Sequence, residues 1–111
     1  MTGFELVDNG GGRFSLNGRM TFDTAGQILR ESEDLFEQHT RIEVSLAGVT
    51  ASDSAALALL LEWITWANHT VREISFIDVP EKINAIAKVT EVDSLLTKGE
   101  RWAGFIEAPA S

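Results

Sequence analysis

The sequence predicts an α/β fold: a mixed β-sheet with helices packed mainly on one face, in the order ββαβαβα with an ambiguous C-terminal end. Three observations carry this. Several short stretches place apolar residues at every second position, the signature of a half-buried strand. Between them lie segments with apolar residues at helical spacing, and strand–helix–strand crossovers of that kind join parallel neighbours. The first two strands, however, are separated only by a glycine-rich turn, so they form an antiparallel hairpin and the sheet is mixed.

Phe4 and Leu6 alternate with Glu5 in the first strand, and Phe14 and Leu16 continue in the second. The turn between them is Asp8-Asn9-Gly10-Gly11-Gly12. Three glycines suggest a phosphate loop, but no Lys-Ser/Thr follows and no helix begins there, so they read as a hairpin turn. Asn17-Gly18 is expected to end the hairpin. Thr24-Ala25-Gly26-Gln27 has the capping-box spacing of a helix start. From there Ala25, Ile28, Leu29, Ser32, Leu35 and Phe36 share one face, while Glu31, Glu33, Asp34 and Glu37 lie mostly off it.

The stretch from Arg41 to Ala67 organises the chain. Ile42, Val44 and Leu46 alternate with Glu43 and Ser45, and Ala47-Gly48 breaks the pattern ahead of a short polar loop. Asp53-Ser54-Ala55-Ala56-Leu57 then opens a strongly apolar helix. Ser52 or Asp53 can cap it, because a short side-chain oxygen accepts one of the orphan N–H groups of the first turn. Ser54 follows in that first turn, at the positive end of the helix dipole. Ile74 and Phe76 face inward in a further strand, with Ser75 outward and Ile77 near its end. Pro80 marks the next helix start, whose buried face is Ile83, Ile86 and Ala87. Val92, Leu95 and Leu96 are expected to return to the core. Residues 98–111 read as a loosely packed tail on which Trp102 and Phe105 can pack down, so the expected unit is one domain, 1–111, with a core of about 4–97.

Composition excludes several functions. Seventeen acidic against nine basic side chains give a net charge of −8. That balance repels phosphate backbones and anionic head groups, which argues against nucleic acid and against direct membrane insertion. No cysteine is present, so disulfides and thiolate metal sites are excluded. The first ten residues lack the basic and apolar blocks of a signal peptide, and the apolar run Ala55–Leu61 is too short to span a bilayer. A cytoplasmic protein is expected. His39 and His69 have no second ligand at helical spacing, no G-x-S-x-G surrounds Ser54, and no Walker motif occurs. The expectation is no catalytic residue, no metal and no cofactor.

What the central helix offers instead is surface. At about 100° per residue, Leu57, Leu60, Leu61, Ile64 and Ala67 fall toward the sheet. Ala55, Leu59, Glu62 and Trp66 then point away, with Trp63 at the flank. A helix apolar nearly all round must bury its second face. Either the C-terminal segment of the same chain covers it, or a protein partner does, where Trp and Leu clusters supply binding energy. A second copy of the chain is one such partner.

These residues together are similar to the STAS domain family, the fold of the anti-sigma-factor antagonists. The resemblance rests on the two-stranded start, Leu16-Asn17-Gly18, and the strand–loop–Asp53-Ser54-x-x-Leu57–helix run, and it covers roughly residues 4–97. Asp53-Ser54-Ala55-Ala56-Leu57-Ala58-Leu59-Leu60-Leu61-Glu62-Trp63 and the later Ile83-Asn84-Ala85-Ile86-Ala87-Lys88-Val89 resemble the MlaB-like branch. Where the family shows Asp-Ser/Thr-Ser/Gly-Gly-Leu, this sequence has Ala55 and Ala56. The resemblance implies a non-enzymatic cytoplasmic subunit, peripheral to the inner membrane through its partner. That partner is the ATPase of an Mla-type phospholipid ABC transporter serving outer-membrane lipid asymmetry. It also implies that Ser54, beside Asp53, is a regulatory phosphoacceptor position. The alternative it implies is an anti-sigma-factor antagonist switched by phosphorylation of Ser54.

Overall fold

The computed structural model of the chain describes residues 3–89. The elements are β1 (Phe4–Gly10), β2 (Arg13–Met20), α1 (Phe22–Phe36), β3 (Arg41–Ser52), α2 (Ser54–Thr70), β4 (Glu73–Ile77) and α3 (Glu81–Val89), in the expected order ββαβαβα. The expected return of Val92, Leu95 and Leu96, and the tail with Trp102 and Phe105, lie outside the described residues.

The sheet order is β1-β2-β3-β4. β1 pairs antiparallel with β2, while β2–β3 and β3–β4 are parallel. Two successive crossovers step in the same direction across the sheet, and right-handed connections of that kind leave both helices on one face. The inner strand positions Phe14, Leu16, Ile42, Val44, Leu46, Ile74 and Phe76 are therefore buried under α1 and α2. The alternate positions Ser15, Glu43, Ser45 and Ser75 carry polar side chains on the other face, as the period of two requires.

Glycine is needed at the hairpin turn. Gly12 has φ +85°, and a side chain there would strike the Arg41 carbonyl. The Asp8 carboxylate closes the same turn by accepting the Gly10 N–H at 2.9 Å.

Three boundaries differ from the sequence expectation. β2 does not end at Asn17-Gly18 but runs on to Met20, and β3 runs past Ala47-Gly48 to Ser52. The pairing absorbs the broken alternation as register shifts between Ser15 and Asn17 and between Gly18 and Arg19. On the β1 side, Gly18 is needed for another reason: at φ +98° it brings the Gly3 carbonyl to 2.6 Å from where a Cβ would stand. Helix α1 starts at Phe22, two residues before Thr24, with Thr21 as its N-cap. Thr24 is the N3 residue of that start, its hydroxyl accepting the Thr21 N–H at 3.0 Å.

The largest correction concerns the faces of α2. Leu59 and Trp63, expected to point outward, are buried at 4% and 1% exposure. Leu61, expected inward, is half-exposed. The sheet alone does not set the buried arc, because α1 lies beside α2 and covers its Trp63 side. Ser32 on α1 is small enough to admit the indole, and its Oγ accepts the Trp63 Nε1–H at 2.8 Å. Trp63 also lies 5.3 Å from the Phe36 ring and 6.1 Å from Phe76, centroid to centroid. Contacts of that range favour tilted or offset aromatic pairs.

Candidate protein-interaction site at two joined helix starts

The parallel register sets Met20 at the end of β2 opposite Ser52 at the end of β3. Both strands leave the sheet there and turn into α1 and α2, so the two helices begin side by side. Carboxyl ends of parallel strands are where α/β sheets carry their binding sites.

Asp53 joins the two starts. Its backbone is extended, as an N-cap requires, and its Oδ1 accepts the Ala55 N–H at 2.8 Å. Its Oδ2 accepts the Phe22 N–H of α1 at 3.1 Å. One carboxylate thus satisfies an orphan donor of each helix and places its charge between two positive dipole ends. Around it, the Arg19 guanidinium holds the Asp23 carboxylate at 2.7 and 2.9 Å. The Thr21 hydroxyl also donates to Asp23. Chiefly through the Thr21 bond, the Asp23 carboxyl is held below its ordinary value.

Ser54 is the first residue of α2 and is exposed. Capping falls to Asp53, which leaves the Ser54 side chain on the surface. Beside it stands a residue that sequence reasoning missed: Phe22, the first residue of α1, 85% exposed. Thr21 was the available signal. Read as the N-cap, it moves the helix start forward and sets an aromatic ring at the same end as Ser54.

The family model described as Mlab, STAS domain matches residues 8–97. This chain belongs to the STAS domain family. The solved structure of the anti-sigma factor antagonist SpoIIAA in its unphosphorylated form is similar to it, with a TM-score of 0.65 and 12% identity over 84% of each chain. At that identity the likeness shows a shared fold. No curated protein matches the chain by sequence.

In this STAS chain the residues expected to form an interface are divided by the fold. Ser54 and Glu62 are exposed, and Ala55 and Trp66 are half-buried. Leu59 and Trp63 belong to the core and are not available at the surface. The outward stripe of α2 is instead Ser54, Ala58, Glu62 and Thr65. Trp66 is held from two sides, 6.2 Å from Phe36 and 4.9 Å from the Arg72 guanidinium. His39 is half-buried with its ring in a T-shaped pair with Phe14, and His69 is exposed in the last turn of α2. Among the described residues no group of three His, Cys, Asp or Glu side chains converges as metal ligands, and no helix is long and apolar enough to cross a membrane.

Proposed function

We propose that this chain is a non-enzymatic, cytoplasmic, single-domain subunit that binds the ATPase of an Mla-type phospholipid ABC transporter and supports its assembly or activity. Through that complex it serves outer-membrane lipid asymmetry. The observation that supports this reading is the match of the Mlab, STAS domain family over residues 8–97. The surface expected to meet the ATPase is the end where α1 and α2 begin, with Phe22, Ser54 and Ala55 at its centre and Glu62 along its margin. Affinity purification of the chain from its own cells tests this: an ABC ATPase should co-purify in near-equimolar amount. Recovery of a kinase-like anti-sigma factor with no ATPase overturns it.

One observation favours a second reading, a phosphorylation-switched antagonist of an anti-sigma factor. Ser54 is exposed at the first position of α2, on a fold shared with an antagonist solved in its unphosphorylated form. A phosphate there would add charge beside the Asp53 carboxylate while lying near the helix N-terminus, so it would change the docking surface without unwinding the helix. Mass spectrometry of the protein from cells distinguishes this reading by finding, or failing to find, phosphate on Ser54.

A further inference from the structure

From the shared Asp53 cap, α1 and α2 run in the same direction, and a cleft opens between them further along. Leu29 and Trp66, both half-buried, form the part of its floor that solvent reaches, over the buried Ser32, Phe36 and Trp63. Glu33 stands on the α1 rim and Glu62 on the α2 rim, both exposed. Among the described residues neither carboxylate has an ion-pair partner. Arg72, the cation next to Trp66, is already engaged: it donates to the carbonyls of His39 and Glu37, each at 2.8 Å. The cleft measures about 60 Å³. A cavity of ~150 Å³ holds a benzene ring, so this one has room for the end of a single side chain and not for a helix.

We propose that this cleft takes one arginine side chain of a partner protein, its planar head between Glu33 and Glu62 and its stem along Leu29 and Trp66. The proposal rests on the reading of the chain as a partner-binding subunit and adds the chemistry of what it binds. A carboxylate is repelled by both rims. A leucine would cover the floor but leave both acids facing an apolar neighbour. The guanidinium answers floor and rims together, since it is weakly hydrated, stacks on aromatic rings and offers five donors to two carboxylates. Lysine can reach the acids but stacks poorly, and its ammonium is more strongly hydrated. A second copy of this chain is a poor occupant, because it also carries a net charge of −8. A partner with a basic face is favoured on the same ground.

The test uses the purified chain and a short alanine-rich helical peptide with a single arginine between two leucines. Binding is followed through the indole N–H resonances of Trp63 and Trp66. The arginine peptide should move both resonances saturably, and raised salt should weaken the effect. Replacing its arginine by citrulline, which keeps the shape and loses the charge, should weaken binding about tenfold or more. The double variant Glu33→Gln/Glu62→Gln, both at exposed sites, should do the same while leaving thermal unfolding unchanged. Equal binding of the citrulline peptide, or unchanged binding by the double variant, overturns the proposal. Failure to recover an ATPase from cells, with arginine-dependent binding intact, counts against the transporter reading alone.

Discussion

Asp53 reaches the backbone of Phe22 across 31 residues of sequence, its Oδ2 accepting that N–H at 3.1 Å while Oδ1 caps its own helix at Ala55. The candidate site is thus held by one side chain shared between two helices. Losing it should cost more than an ordinary cap, which is worth about 0.5–2 kcal/mol. Asp53→Ala is expected to lower stability by about 2 kcal/mol or more, since a second charge-assisted bond goes with the first. Asp53→Asn retains a single acceptor oxygen and should lose about half as much. Denaturant unfolding with an unchanged slope measures both, and a parent-like Asp53→Asn beside a destabilised Asp53→Ala would mean that the bond to Phe22 contributes nothing.

The corrected packing of α2 makes a second prediction. Trp63 is 1% exposed and its indole N–H is satisfied by Ser32. Trp63→Ala should cost about 3–5 kcal/mol. Ser32→Ala leaves a buried N–H without its acceptor and should cost about 1–2 kcal/mol despite the better helix propensity of alanine. Trp66→Ala, at a half-buried site, should cost less than Trp63→Ala and also lose the contact with Arg72, worth about 0.5–1 kcal/mol. Thermal unfolding that ranks Trp66 above Trp63 would contradict this placement.

These results mark how far the sequence was legible. Alternation in Phe14-Leu16, Ile42-Val44-Leu46 and Ile74-Phe76 named the inner face of the sheet, because a period of two leaves no other assignment for a one-sided core. The amphipathic spacing of Ile28, Ser32 and Phe36 oriented α1 for the same reason. α2 was not legible in that way. Its polar stripe, Ser54, Glu62, Thr65 and His69, is narrow and apolar residues fill the rest of the wheel, so nothing marks which flanking arc faces α1, and Leu59 and Trp63 fell on the wrong side. Asp53 as a cap was readable from its type and position. Its bond to Phe22 was not, since that bond depends on the parallel register of Met20 and Ser52, which no local pattern encodes.

Val71 supplies a third prediction. It closes α2 in the left-handed region, at φ 58° and ψ 49°, with its N–H bonded to the Ala67 carbonyl. A β-branched residue is strained there, by roughly 1–2 kcal/mol. Its side chain is 86% exposed and little packing would be lost with it. Val71→Gly is therefore expected to stabilise the fold by about 1 kcal/mol, the relief of strain outweighing the entropy that glycine adds to the unfolded chain. Val71→Ala keeps the Cβ clash and should gain much less. A lower melting temperature for the glycine variant would show that the conformation is not strained.

The last prediction separates the partner surface from the scaffold beneath it. Phe22 is exposed and only its backbone is held by Asp53, so Phe22→Ala should leave stability within about 0.5 kcal/mol of the parent. An exposed aromatic at the centre of a docking surface behaves as a hot spot, and its loss should cost roughly 2 kcal/mol of affinity, about thirtyfold. Ser54→Asp sets a second carboxylate beside Asp53. The adjacent helix N-termini tolerate that charge in the free protein, so folding should again be retained. If partner binding desolvates this end, the added charge must be stripped of water without a new cation to meet it, and affinity should fall. Ser54→Ala removes only a hydroxyl that capping does not use, and should be nearly silent. Calorimetric titration against the ATPase proposed as partner, paired with unfolding of each variant, reads both quantities. Parent-like affinity for Phe22→Ala and Ser54→Asp together would place the contact away from the joined helix starts, whereas a loss confined to Ser54→Asp would mean that charge, not the aromatic ring, controls docking.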